Sequence, residues 1–288
     1  MMRPAHKLSI ARWLSGLTAV LASAAIVVLA GASAAEMSGN TKVTWYGHAA
    51  FKIETPSGGV ILIDPWIKNP KNPDKAAISK LTKVDYILLT HAHFDHVGQT
   101  VQIAKATGAK MVSSFGLGRN LVAIHGFPKA QAGFDTMGNV GGLIRLPRAG
   151  AQVTIVNAVH GSEVGLPKPE PGGPTVVIGG NPVGFVLEVD NGPTFYHTGD
   201  TDVFTDMKLV GDLFTVDVML SAIGDHFTMG PRRAAVAVEF VKPKIVVPIH
   251  FGTFPVLTGT PAAFQAEIKK RGLSTEMVEM KPGETRAF

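Results

Sequence analysis

Residues 90–96 read T-H-A-H-F-D-H and follow directly on the apolar run Tyr86-Ile87-Leu88-Leu89. Four apolar residues bounded by polar ones are the pattern of a buried strand. Such a strand ends here in three imidazoles and a carboxylate, and a fold must bring that end to an edge where these groups have partners. In an extended segment residues i and i+2 point the same way. His91 and His93 can therefore grip one divalent ion, while Asp95 and His96 turn toward a neighbouring position. The chain has no cysteine, so any metal must be held by nitrogen and oxygen ligands.

The rest of that cage is expected from other strand ends. His160 follows the run Gln152 to Val159. His250 follows Ile245-Val246-Val247-Pro248-Ile249. Asp200 follows Thr194-Phe195-Tyr196 after the short turn His197-Thr198-Gly199. If these ends share one edge, they enclose a site of scattered nitrogen and oxygen donors, which a divalent ion needs from several directions. A carboxylate such as Asp200 can bridge two ions, and a metal pair can activate water and polarise a carbonyl or phosphoryl group. Any one of these histidines alone reads as a structural or surface residue. The H-x-H-x-D-H spacing behind an apolar strand does not.

The remaining pattern predicts a layered α/β chain. Strands are expected at Val43 to Tyr46, Phe51 to Glu54, Val60 to Ile63, Tyr86 to Thr90, Lys110 to Ser113, Gln152 to Val159, Val183 to Val189, Thr194 to Tyr196, Val216 to Leu220 and Ile245 to Ile249. Helices are expected at Val97 to Thr107, closed by Gly108, and at Leu117 to His125, closed by Gly126. Two more, Pro231 to Val241 and Pro261 to Arg271, carry proline near their start. Strands first, then strands with intervening helices, suggest helices covering a sheet-on-sheet core. Between Gly161 and Gly184 half of the positions are Gly or Pro. That stretch reads either as a surface loop or as a loop bordering a pocket.

The N-terminus is a separate matter. Arg3, Lys7 and Arg12 precede an apolar stretch from Trp13 to Ala30, and small residues follow from Gly31 to Ala35. Residues 1–35 read as a secretory signal of the Sec type, cleaved near Ala34 or Ala35. The rival reading is an N-terminal membrane anchor. Cleavage leaves residues 36–288 as one domain, periplasmic or secreted, with no stable membrane association. It lowers the formal charge from +5 to +2, because Arg3, Lys7 and Arg12 leave and no acidic residue does. No dense basic stripe remains, so a small-molecule substrate is expected and nucleic acid is not.

H-A-H-F-D-H at 91–96 resembles the signature of the metallo-β-lactamase fold superfamily. Ile61-Leu62-Ile63-Asp64-Pro65 is similar to that family's first motif, His160 to its third, Thr198-Gly199-Asp200 to its fourth and His250 to its fifth. Trp45-Tyr46-Gly47-His48-Ala49, Asn139-Val140-Gly141-Gly142, Tyr196 to Thr201 and Gly224 to Pro231 further resemble the metal-dependent hydrolases related to ascorbate-6-phosphate lactonase. The resemblance implies a four-layer αββα sandwich with the site at one edge. It implies two divalent ions, zinc favoured, with manganese, iron or nickel as alternatives. His91, His93 and His160 would hold the first; Asp95, His96 and His250 the second; Asp200 would bridge them. Asp64 would sit behind the ligands and orient them. A metal-bound hydroxide would be the nucleophile, and Asp95 would also shuttle a proton.

His48 and His226 are further candidates, as acids or oxyanion-stabilising groups lining the pocket. At His226 the family pattern more often has Asn. His197 reads as structural and His125 as an ordinary helix residue, and Arg232 and Arg233 as a solvated helix face. The expected activity is metal-dependent hydrolysis of a small ester, lactone or related bond. A phosphodiesterase of the same fold is the alternative. A β-lactamase ranks below it, because Asp95, two histidines and a bridging Asp200 at the second position are closer to the other branches. A non-catalytic metal binder would be expected to lack a ligand, and none of the seven is missing. A diiron redox protein would carry a carboxylate in the first site, which is absent here: His93-Phe94-Asp95 resembles the hydrolase pattern.

Overall fold

Period-two alternation in the strands decides the layers. In a computed structural model, which describes residues 40–288, the first half of the chain forms β1 (Lys42–Gly47), β2 (Ala50–Glu54), β3 (Val60–Ile63), β4 (Tyr86–Leu89), α1 (Phe94–Val97), α2 (Thr100–Thr107), β5 (Lys110–Ser114), α3 (Phe115–His125) and β6 (Met137–Gly138). The second half forms β7 (Leu143–Leu146), β8 (Ala151–Asn157), the hairpin β9 (Glu163–Gly165) and β10 (Val176–Ile178), β11 (Val183–Val189), β12 (Thr194–His197), α4 (Met207–Leu213), β13 (Val218–Ala222), α5 (Pro231–Val241), β14 (Ile245–Ile249), α6 (Pro261–Lys270), β15 (Glu276–Met277) and β16 (Thr285–Ala287). One sheet has the order β16-β1-β2-β3-β4-β5-β6 and the other β15-β14-β13-β12-β11-β8-β7.

Val43, Trp45, Ile61, Ile63 and Leu88 of the first sheet share one buried cluster with Val153, Ile155, Phe185, Leu187, Leu220 and Val247 of the second. The alternate positions face outward. Leu62, Ile87 and Leu89 pack under Ile103 and Ala104 of α2 and Leu117 and Leu121 of α3. Val186, Met219 and Val246 pack under Val210 of α4, Ala234 and Val238 of α5, and Phe264 of α6. The layers are therefore helix, sheet, sheet, helix, the αββα sandwich implied by the sequence. Each large apolar side chain buried this way contributes roughly 1.5–3 kcal/mol.

The direction of the strands places the site. β3 and β4 run parallel, as do β12, β13 and β14. β11 is antiparallel to both β8 and β12, so β8 points the same way as β12. In the first sheet β2 is antiparallel to both β1 and β3, so the β1–β2 turn lies at the edge where β3 ends. Asp64, His91, His160, Asp200 and His250 all follow strands whose ends meet at that edge.

Several boundaries differ from expectation. The helix expected from Val97 to Thr107 is two pieces, α1 and α2. Gly98 breaks it with φ 43°, and a Cβ there would lie 2.4 Å from Trp66 Cα, so the chain passes Trp66 only as glycine. β8 stops at Asn157, two residues early, and β13 runs two residues later than expected. The helix α4 and the short strands β6, β7, β9, β10, β15 and β16 were not expected from the sequence. Most are edge or end pieces too short to show a period. The Gly/Pro-rich stretch holds the β9–β10 hairpin, and it does border the site. The export signal read in residues 1–35 lies outside the described residues. Among the described residues no helix is long and apolar enough to cross a membrane.

Candidate metal centre

Three site residues carry a left-handed backbone: His48 (φ 56°), Asp64 (φ 44°) and His250 (φ 57°). A non-glycine residue there costs roughly 1–2 kcal/mol. Such strain persists where the surrounding structure over-determines it, and it clusters at functional sites. Here it turns each side chain off its strand end into the same small volume. The His250 N–H and the Trp45 indole N–H both donate to the His48 carbonyl, at 3.0 Å each, which ties the two turns together.

Asp64 organises the next layer inward. Its carboxylate accepts from the Thr90 N–H at 2.8 Å, from the Thr90 hydroxyl at 2.6 Å and from His96 Nδ1–H at 2.7 Å. Since the Thr90 hydroxyl spends its proton on Asp64, its oxygen accepts from His91 Nδ1–H at 3.0 Å. Both imidazoles are thereby held with Nδ1 outward and Nε2 toward the centre. This is the arrangement by which a carboxylate or hydroxyl behind a histidine sets its tautomer for metal binding.

Asp200, 4% exposed, stands in the middle. Its Oδ2 lies 2.9 Å from His250 Nε2, 3.7 Å from His160 Nε2 and 4.0 Å from His91 Nε2, and its Oδ1 lies 3.4 Å from His96 Nε2. Burial works against its charge, but His250 and His96 outweigh burial and hold the carboxyl well below the usual carboxylate range. Burial also opposes charge on His96, yet Asp200 and Asp64 outweigh it and raise that imidazole well above its ordinary value. Burial, with His96 adding to it, pushes His91 well down. Burial likewise lowers His160 against the pull of Asp200. These two rings are neutral and offer lone pairs.

The donors fit a bound cation. His96 Nε2, Asp200 Oδ1 and both ring nitrogens of His250 are buried without a hydrogen-bond partner. The close approaches of His96 and His250 to Asp200 are therefore not aligned hydrogen bonds. An unpartnered buried polar atom costs about 1–3 kcal/mol, and here His96, Asp200 and His250 gather four of them in one cluster. His91 Nε2 and His93 Nδ1 are 2.9 Å apart. His93 Nε2–H donates to Glu163 Oε2 at 2.8 Å. Two lone pairs thus face each other, and a cation between them, proton or metal ion, relieves the repulsion. The ligand-bearing atoms fall into three overlapping sets: His91, His93 and His160; His91, His96 and Asp200; and His48, Asp95, His96 and His250.

All seven residues expected as ligands come together, with Asp64 behind them. His48 is buried beside them, its ring 3.8 Å from that of His250. Its Nε2–H donates to Asp95 Oδ2 at 3.1 Å and its Nδ1 accepts from the Thr253 hydroxyl at 2.9 Å. Burial, then the neighbouring His250, pushes the ring down to about 4, so it is a neutral donor. Burial opposes ionisation of Asp95, but the His48 hydrogen bond and the His96 charge hold it at about 2.

His226 stands elsewhere. It is exposed, and its ring rests 4.4 Å from that of Phe227. Phe227, not His226, borders the cleft over the cluster. His197 accepts from Gly199 N–H at 3.0 Å and supports the turn before Asp200. His125 Nε2–H donates to the Gly165 carbonyl at 2.9 Å and so anchors the hairpin. Arg233 pairs with Asp202, and Arg232 is exposed.

Sequence reading missed Glu163, Thr90 and Thr253, each of which orients a histidine. Thr90 is contiguous with the histidine motif and could have been suspected. Glu163 and Thr253 carry no local signal, since their partners lie 70 and 205 residues away.

Residues 42–250 match the model of the β-lactamase superfamily domain. The chain is 51% identical over 248 residues to a UPF0173 metal-dependent hydrolase of Thermodesulfovibrio yellowstonii, covering 86% of this chain and 92% of that one. It is 53% identical over 251 residues to another of Anaeromyxobacter dehalogenans, covering 87% and 88%. The fold is similar to that of Igni18, a metallo hydrolase from the archaeon Ignicoccus hospitalis, with a TM-score of 0.73, 33% identity, and 86% and 98% of the two chains covered.

Proposed function

The chain belongs to the β-lactamase superfamily and is a metal-dependent hydrolase, and from that premise we propose that it uses two divalent ions, zinc favoured, to hydrolyse a small ester or lactone. The observation that carries the reading is the position of Asp200. Its Oδ2 lies near His91 and His160 of one set and near His250 of the other, and its Oδ1 lies near His96. In this reading His91, His93 and His160 hold one ion, Asp95, His96 and His250 the other, and Asp200 belongs to both. Bound there, the ions supply an activated water and a Lewis acid for the carbonyl.

The chain's own residues supply orientation and proton transfer. Asp64 and Thr90 fix which nitrogens of His96 and His91 face inward. Glu163 does the same for His93. His48 donates to Asp95 Oδ2, which keeps that carboxylate ionised and turned toward the centre. Asp95 then takes the proton of the attacking water. The water oxygen bonds to the carbonyl carbon, the bond from that carbon to the leaving oxygen breaks, and Asp95 passes the proton to that oxygen. The products are an acid and an alcohol, or one hydroxy acid from a lactone. With residues 1–35 read as an export signal, this chemistry takes place outside the cytoplasm. N-terminal sequencing of the fractionated protein tests that part.

The test of the main reading is metal content together with turnover. Full-length protein loaded with zinc is expected to bind two equivalents per chain and to hydrolyse p-nitrophenyl acetate or a γ-lactone until a chelator is added. Asp200→Asn is expected to hold one equivalent or less and to lose at least 1000-fold in kcat/KM, roughly 4 kcal/mol. One ion per chain in the unaltered protein, or turnover that survives chelation, would overturn the two-ion reading.

A further inference from the structure

We infer that the part of the substrate seated beside the metal centre is uncharged and apolar, a hydrophobic acyl or alkyl chain in place of a phosphate or carboxylate. The inference rests on the hydrolytic reading above and names the substrate class of the same site. A cleft of about 750 Å³ opens over the cluster, within the range of a small-molecule site. Its floor is polar, with His93, Asp95, His160, Asp200 and His250. Its walls are Phe94, Val176, Phe227, Phe254 and Val256.

These walls are unusual for surface residues. Phe94 is 69% exposed, Phe227 54%, Val176 47% and Val256 44%. They come from separate segments: α1, the β10 strand of the hairpin, the turn after β13 and the loop after His250. Exposed apolar side chains scattered singly need no explanation, but a contiguous group around one opening marks a binding surface. The walls are also propped from behind. Trp66 stacks on Phe254 at 5.8 Å and 17°, and meets Phe94 edge-on at 5.7 Å and 79°. Phe94 and Phe254 also meet each other edge-on at 6.4 Å and 66°, so the three rings brace one another.

Charge points the same way. No lysine or arginine is among the described residues that line the cleft, while the carboxylate of Glu163 is. The basic groups Arg232, Arg233 and Arg271 border a different groove, at α5 and α6. An anionic substituent in the cleft would find no side-chain cation there. An alkyl chain would find aromatic and branched surface to bury against. Each methylene removed from water is worth roughly a fourfold gain in binding.

Two series on the full-length, zinc-loaded protein test this. In the first, kcat/KM is measured for p-nitrophenyl esters from acetate to octanoate, with bis(p-nitrophenyl) phosphate as the anionic comparison. In the second, binding of butanol, hexanol and octanol is followed by calorimetry, which needs no turnover. Both are expected to rise roughly fourfold per methylene until the cleft is full, with octanoate preferred over the phosphodiester. Phe227→Ser and Val256→Ser, at exposed positions where folding is not at risk, are expected to flatten both series. A flat alcohol series overturns the inference in every case, as does a flat ester series with turnover present, or preference for the phosphodiester. No ester turnover with a rising alcohol series would sink the hydrolytic reading instead and leave the apolar cleft standing.

Discussion

Asp64 Oδ2 and His96 Nδ1 lie 2.7 Å apart with both side chains fully buried. Burying two ionisable groups is costly unless each satisfies the other and their remaining atoms find partners. Asp64 meets that condition through Thr90. His96 does not, because its Nε2 is left without a hydrogen bond beside Asp200. The pair is half of an arrangement that a cation completes.

Removing that support should loosen the whole centre. Asp64→Asn leaves one oxygen to serve three donors and points an amide N–H at another donor. The expected cost is about 1–3 kcal/mol of stability and roughly 10–100-fold in metal affinity. Asp64→Ala, which strands a buried imidazolium, should cost about 3–5 kcal/mol. Thermal unfolding and competition with a chromogenic chelator read both. Unchanged zinc retention in Asp64→Asn would remove Asp64 from its orienting role.

Metal uptake should release a proton from His96. Asp200 and Asp64 overcome burial and hold this imidazole well above about 6.5. The metal-free protein therefore keeps it charged at pH 7, and a metal ion at Nε2 must displace that proton. About one proton per chain from this residue is expected as the ions bind, read by calorimetry in buffers of different ionisation enthalpy. The sign for stability follows from the raised value. The contribution to the metal-free fold is fully present below about pH 6.5 and is lost as pH rises through the folded value. The Tm of the metal-free protein should fall over that rise, and that of the zinc-loaded protein should not follow it.

Glu163 should matter to metal binding and hardly to stability. It is half exposed and reaches His93 from the hairpin. Burial slightly opposes its charge, but the stronger effect is the His93 hydrogen bond, which lowers its carboxyl below the usual range. Glu163→Gln is expected to weaken zinc affinity roughly tenfold with a stability change within about 0.5 kcal/mol. Zinc titration beside a melting curve separates the two. A large fall in Tm with unchanged affinity would make the contact structural.

Gly224 faces the backbone of His250. A Cβ at this position would lie 2.1 Å from the His250 carbonyl oxygen. Gly224→Ala must therefore push the turn that carries a site residue, at a cost of about 1–3 kcal/mol. A melting curve should fall by several degrees, and zinc affinity should fall with it. A silent substitution would mean that the β13 and β14 ends have more freedom than this contact allows.

The sequence by itself determined most of the longer strands, the ligand types and their place just after apolar runs, and the family resemblance implied the layers and the edge. Short-range rules were sufficient for the strands and ligands: apolar runs bounded by turn residues mark strands, and ligands placed just after such runs sit at strand ends. T-H-A-H-F-D-H is legible because its groups are neighbours in the chain. The same rules missed α4 and the short strands, where the pattern is too brief to show a period. They also ran one helix through Gly98, where packing against Trp66 breaks it. Only the tertiary structure decided which nitrogen of each histidine faces inward. It also decided that His48 serves Asp95, that Glu163 reaches His93 and that Phe227 enters the cleft where His226 does not. Those outcomes depend on pairs separated by tens to hundreds of residues, and such pairs are selected by strand order and close packing, for which no local pattern exists.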